Sequence, residues 1–288
     1  MSYLARHFAR CSDAPMLLSE QQFGNVVKAC AALSFLLFSA LPVQAGSIVA
    51  FGDEFFLSNN AFSNNLGNAQ QLTINTASFL SAGKTPGNVL IYSDNSVAYG
   101  SSFVAELVGV GYTVTVDNTL PFTPPTLQNF DMVFLAGQRG SGSGANANTL
   151  ANYVNSGGGV AVSAGTADFG SFNSSGEASA WNPFLNTFGL TYGTSWFQNF
   201  ESNVAVNSLQ SSSFADGVSS FRWRTGQTAS PINVNNSLTR TAITGVFSGT
   251  PESAVATYQS AVVPEAGTLA LLGFALVPVG AGLVRRRK

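Results

Sequence analysis

Apolar and polar positions alternate with two periods between residues 46 and 190, and that alternation predicts short strands separated by helices. Ser47-Ile48-Val49-Ala50-Phe51, Asn88–Tyr92, Asp131–Ala136 and Val160–Ser163 are short apolar runs of the kind buried on both faces of a sheet. Tyr112–Val116 alternates like a strand. Between these runs the period lengthens. Leu66–Leu80 carries Leu72, Ala77, Phe79 and Leu80 as an amphipathic helix would, and Ser101–Val110 sets Phe103, Leu107 and Val110 on one face before Gly111 ends it. Asn146–Asn155 directs Leu150, Tyr153 and Val154 inward and stops at Gly157-Gly158-Gly159. Strands joined by helices of about ten residues predict right-handed crossovers and a parallel sheet with helices on both faces.

From residue 191 the pattern changes to strand-like runs at Asn203–Val206, Ser219–Trp223 and Thr241–Phe247, broken by Ser, Asn and Gly. Residues 191–250 therefore read as a β-rich C-terminal extension completing the α/β domain of residues 46–190, with antiparallel edge strands. Residues 251–262 read as a linker.

The two ends of the chain are apolar in a different way. Lys28 precedes the run Ala29–Leu41, and Val43-Gln44-Ala45 offers small residues where a signal peptidase reads, so residues 1–45 are expected to be a signal peptide cut between Ala45 and Gly46. Met16 is an alternative start. At the other end, Thr268–Val284 is seventeen uncharged residues, about 25 Å as a helix and at the short end of what a bilayer core requires. Arg285, Arg286, Arg287 and Lys288 follow it, a basic stop that keeps the C-terminus cytoplasmic by the positive-inside rule. A plain membrane anchor has the same physics. Pro264-Glu265 just before the span and the basic cluster ending the chain make residues 263–288 resemble a PEP-CTERM sorting tail, which implies exosortase as processing partner. The residue after Glu265, usually proline in that family, is Ala266.

The two resemblances at the ends imply export through the Sec translocon, signal-peptidase cleavage, an inner-membrane-anchored precursor in a Gram-negative bacterium, and later residence at the cell surface or in the extracellular matrix. They also imply contact with an exopolysaccharide-rich biofilm envelope.

Export changes the usable chemistry. His7, Cys11 and Cys30 all lie before Gly46, so the region that remains has no histidine and no cysteine. This excludes Ser-His-Asp and Cys-His nucleophilic systems, thiolate or imidazole zinc sites and internal disulfides. Between Gly46 and Ser260 five basic residues face eleven acidic ones, a net charge of −6. Such a surface lacks the cationic stripe that nucleic acid requires. At about 215 residues the region is long enough for one sizeable core.

The order NVLIYSDN, helix, YTVTV, FDMVFLAG, helix, YVNSGGGVAVSAGT, followed by NPFLNTFGL, is similar to the flavodoxin-like, class I glutamine-amidotransferase-like superfamily, including its trehalose-utilisation-like members, over about Ile48–Gly189. The resemblance places Ser163 where amidotransferases carry their cysteine. It implies a serine nucleophile with Gly137 and the loop Gln138-Arg139-Gly140 as oxyanion donors. The base would be Glu201, Asp94 or Lys84. The alternative is a small polar residue ending a buried strand, and the absence of histidine favours it, so a non-catalytic protein is expected.

Three further patterns stand between Gly46 and Ser260. Gly140-Ser141-Gly142-Ser143-Gly144 stands where a phosphate could meet a helix N-terminus but has no Walker lysine, and it reads as a loop. Gly52-Asp53-Glu54 and Asp94-Asn95 follow two strands at one edge. Converging, they would offer oxygen ligands to Ca²⁺; the plainer reading is solvated loop carboxylates. Phe221-Arg222-Trp223-Arg224 is either a sugar-stacking strip or a strand with one buried aromatic face. No cofactor and no metal are expected.

Overall fold

A computed structural model describes residues 46–81, 87–95, 97–137, 147–165 and 173–260. The predicted signal peptide, sorting motif, basic cluster and membrane span lie outside these residues. Among those described, no helix is long and apolar enough to cross a membrane.

The described residues begin with β1 (Ser47–Phe51), a 3-10 turn at Glu54–Leu57, α1 (Asn59–Asn64) and α2 (Leu66–Leu80). Next come β2 (Asn88–Ser93), α3 (Ser101–Gly109), β3 (Thr113–Val116), the one-turn α4 (Pro124–Leu127), β4 (Met132–Ala136), α5 (Ala147–Asn155) and β5 (Gly159–Ser163). After α6 (Ser174–Leu185) the described residues carry two 3-10 turns, Asn186–Phe188 and Ser213–Ala215, and four strands: β6 (Leu190–Val206), β7 (Ser220–Pro231), β8 (Thr239–Phe247) and β9 (Thr250–Gln259). The fold is mixed α/β.

One nine-stranded sheet runs through the described residues in the order β3-β2-β4-β5-β1-β9-β8-β6-β7. The five strands from β3 to β1 are parallel to one another, and every pairing that involves β9, β8, β6 or β7 is antiparallel. The expectation of a parallel sheet therefore holds for five strands only.

Alternation along the parallel strands builds two cores. Val49, Phe51, Val89, Ile91, Met132 and Phe134 face α2 and α3, whereas Ile48, Ala50, Leu90, Val133, Leu135 and Val162 face α5 and α6. Connections running toward β3 put helices on the first face and those running toward β1 put them on the second, the consequence of crossovers of one hand.

The predicted linker is corrected. Residues 250–259 form β9, inserted between β1 and β8, with Ile48 opposite Tyr258 and Phe247 opposite Thr250. Ser248 and Gly249, at φ 48° and 84°, form the two-residue hairpin turn that makes this pairing possible. Ala254, Val255 and Ala256 are buried, which a free linker could not provide.

Candidate functional site

In open α/β sheets a crevice opens at the carboxyl ends of neighbouring strands whose connections leave toward opposite faces. Here β1 and β5 are such a pair, since β1 leads to α2 and β5 to α6. Ser163 ends β5, and Gly52-Asp53-Glu54 follows β1, so these two candidates lie at the same edge.

The local geometry of Ser163 is that of an ordinary strand end. It pairs in register with both Ala136 and Phe51 and is 2% exposed. Among the described residues only Ser248 combines a side chain with positive φ, so Ser163 lacks the strained turn of a nucleophile elbow. Its Oγ lies 2.9 Å from the Tyr99 hydroxyl, which donates to the Leu135 carbonyl at 3.1 Å. With that proton committed, Ser163 donates to Tyr99. Burial raises the Tyr99 phenol above its ordinary range, so it stays protonated and is no base.

The backbone donors beyond Ser163 are also occupied. Ala164 N–H donates to the Phe51 carbonyl at 2.9 Å, and Gly165 N–H donates to the Glu177 carboxylate at 2.9 Å. An oxyanion would have to displace one of them. Of the other expected donors, Gly137 ends against the Asp94 carboxylate, and Gln138, Arg139 and Gly140 lie outside the described residues.

The proposed bases fare similarly. Glu201 is held by Arg222 at 2.6 Å and by Asn60 at 2.7 Å, and the Arg222 hydrogen bond lowers its pKa, the reverse of what a general base at neutral pH needs. Lys84 and the Gly140–Gly144 loop lie outside the described residues.

The crevice itself is filled by β7. Gln227 N–H donates to the Gly52 carbonyl at 2.8 Å, and Arg224 N–H donates to Asp53 at 3.1 Å. Any Cβ at Gly52 would collide with the Gln227 carbonyl, and one at Gly226 with the Gly52 carbonyl, so both glycines are required by backbone contact. From β6, the Tyr192 hydroxyl shares its proton between the Phe51 carbonyl at 2.9 Å and the Val162 carbonyl at 2.8 Å.

Three carboxylates are sealed beneath this strand. Asp53, Glu54 and Glu177 are 0%, 1% and 0% exposed, contrary to the expectation of solvated loop acids. Asp53 also caps the 3-10 turn by accepting from Phe55 N–H at 2.6 Å. Glu54 accepts from the Asn95 amide, so the two loops converge as a cation site would need. The oxygens of Asp53 are nevertheless taken by backbone N–H groups, and among the described residues no three ligand side chains gather into a metal site.

Burial pushes Asp53 up to about 7 and Glu54 up to about 8. The second Glu54 oxygen has no hydrogen bond. Arg224 Nη1 stands 3.9 Å from it, close enough for charge attraction but too far for a bond.

Phe221-Arg222-Trp223-Arg224 resolves into a buried aromatic side and a wetter cationic side. Phe221 and Trp223 pack with Phe56 and Phe247, the ring centroids of Trp223 and Phe247 being 4.8 Å apart. The aromatic rings are core and cannot stack a sugar.

Tyr99, Glu177 and Tyr192 were not singled out from sequence, and Arg224 was named only as part of the aromatic and basic strip. Glu177 alone carried a signal, because it shares a helical face with Trp181 and Phe184, where a charge is out of place.

No family model matches the chain, and no curated protein matches it. Among solved structures, the ATPase DotB of Legionella pneumophila is 10% identical with a TM-score of 0.29. The alignment covers 69% of this chain and 48% of that one, about half its length. That likeness is too distant to assign a fold or an activity.

Proposed function

We propose that this chain is an exported, exosortase-processed protein of the cell surface or extracellular matrix, acting in an exopolysaccharide-rich envelope as a non-catalytic module. One observation carries the non-catalytic reading: β7 occupies the β1/β5 crevice while Ser163 and the two N–H groups after it are bonded within the protein. The domain descends, in this reading, from a flavodoxin-like, glutamine-amidotransferase-like ancestor. The strand order β3-β2-β4-β5-β1 and the position of Ser163 at a carboxyl end support that ancestry, and fold alone does not fix function.

Localisation rests on the sequence of the two ends. Pro264-Glu265, the apolar stretch to Val284 and the terminal Arg285–Lys288 cluster support exosortase recognition, and Ala45-Gly46 supports Sec export with signal-peptidase cleavage.

Intact mass and membrane fractionation of wild type and Pro264→Ala/Glu265→Ala in the native host test the sorting reading. The wild type is expected to end near Pro264 and the double variant to keep its tail in the inner membrane; tails on both would leave only an anchor. Labelling by a serine-reactive fluorophosphonate tests the other half. Labelling that disappears in Ser163→Ala would establish the competing reading, an exported hydrolase or amidotransferase-like enzyme using Ser163.

A further inference from the structure

The opposite end of β1 carries a groove that the crevice chemistry does not touch. Its volume is about 560 Å³, within the range of ligand sites, and it lies between the C-terminal part of α2 and the paired ends of β8 and β9. Arg240 stands in it, exposed and with no ion-pair or hydrogen-bond partner among the described residues. Among the described residues no acidic side chain lines the groove, although the region from Gly46 to Ser260 is acidic overall.

Around that cation are groups suited to hydroxyls. The side chains of Ser78, Ser213, Ser237 and Gln259 are exposed there and make no hydrogen bond within the described residues. Phe79 adds a half-buried ring, held edge-on to Phe214 with centroids 5.7 Å apart. One guanidinium matches one planar carboxylate in bidentate fashion. Ser78 and Phe79 belong to the last turn of α2, the negative end of a helix dipole, which disfavours a doubly charged phosphate more than a single carboxylate. An acidic peptide would need several cations and would leave the serine hydroxyls unused.

We infer that this groove binds an acidic oligosaccharide, with Arg240 on a uronate carboxylate, the serines and Gln259 on ring hydroxyls, and Phe79 against a sugar face. The site is independent of Ser163 and of the sorting tail, so its failure would leave both of those readings standing.

Calorimetric titration of the full chain tests it, using a glucuronate-bearing tetrasaccharide, a neutral glucan tetrasaccharide and a tetraglutamate peptide. The acidic sugar is expected to bind at least tenfold more tightly than either control and to weaken as salt is raised. Arg240→Ala is expected to weaken it at least tenfold, with partial recovery in Arg240→Lys, while Ser163→Ala binds as wild type. No binding of the acidic sugar, equal binding of the neutral one, a peptide that binds as well, or an unaffected Arg240→Ala would each overturn the assignment.

Discussion

The two ends of β1 present opposite solutions for polar groups. At its carboxyl end Asp53, Glu54, Ser163 and Tyr99 are buried, with Asp53 bonded to backbone N–H groups, Ser163 and Tyr99 to each other, and one Glu54 oxygen to Asn95. At its amino end Ser78, Ser213, Ser237 and Arg240 face solvent without partners among the described residues. A site able to exchange ligands needs groups that are free before the ligand arrives, so the end that looks catalytic by position is the poorer candidate. Burial has turned its polar residues into structure.

The contrast can be broken most severely from inside the cap. Trp223→Ala removes a fully buried ring from between Phe56, Phe221 and Phe247 and should cost about 3–5 kcal/mol in denaturant unfolding. Truncating the half-buried Phe79 at the open end should cost about 1 kcal/mol or less. Equal losses would mean that the two ends are not differently sealed.

Protonation sharpens the comparison next. Because folding raises Glu54 from 4.5 to about 8, the folded chain holds a proton that the unfolded chain has released at intermediate pH. Stability should be fullest below about pH 4.5, fall as pH rises, and level off above about pH 8 with respect to this group. Asp53 acts in the same direction, between 3.8 and about 7. Glu54→Gln should therefore flatten the decline, gaining on the order of 1–3 kcal/mol at pH 9 and little at pH 4, as read from urea midpoints across pH. A variant that loses stability at pH 9 would show that Glu54 is held there as a charge.

Tyr192→Phe leaves the Phe51 and Val162 carbonyls with one fewer donor under the cap and should cost about 1–2 kcal/mol in the same assay. The smallest effect is expected from Glu201→Gln, whose ion pair with Arg222 is largely exposed on the glutamate side. Its loss should register below about 1 kcal/mol and shrink in high salt.

How much of this was legible differs between the halves. Phe103, Leu107 and Leu150 announced their helices through spacing, and the apolar runs around Val49, Leu90, Val133 and Val162 announced strands buried on both faces. In the second half, β6 begins at Leu190, well before the predicted Asn203, because its early residues follow register shifts against β7 and show no steady alternation. Residues 251–259 read as a linker because a Pro251-Glu252-Ser253 start masked the short apolar run behind it. For the crevice, position was legible and state was not. Ser163 and Asp53-Glu54 were placed at one edge by strand order, but the burial of Asp53-Glu54 depends on β7, with Arg224 171 residues further along the chain than Asp53.

The sequence by itself determined the parallel α/β half and, through the loss of histidine and cysteine beyond Gly46, a narrow chemistry. Those follow from periodicity and side-chain type, which are local properties. Only the tertiary structure decided that β7 crosses the carboxyl ends of β1 and β5 and that Arg240 stands in an open groove at the other end. Both depend on contacts between segments far apart in the chain, where the fit of Gly52 against Gly226 and Gln227 is decided by packing that no local pattern records.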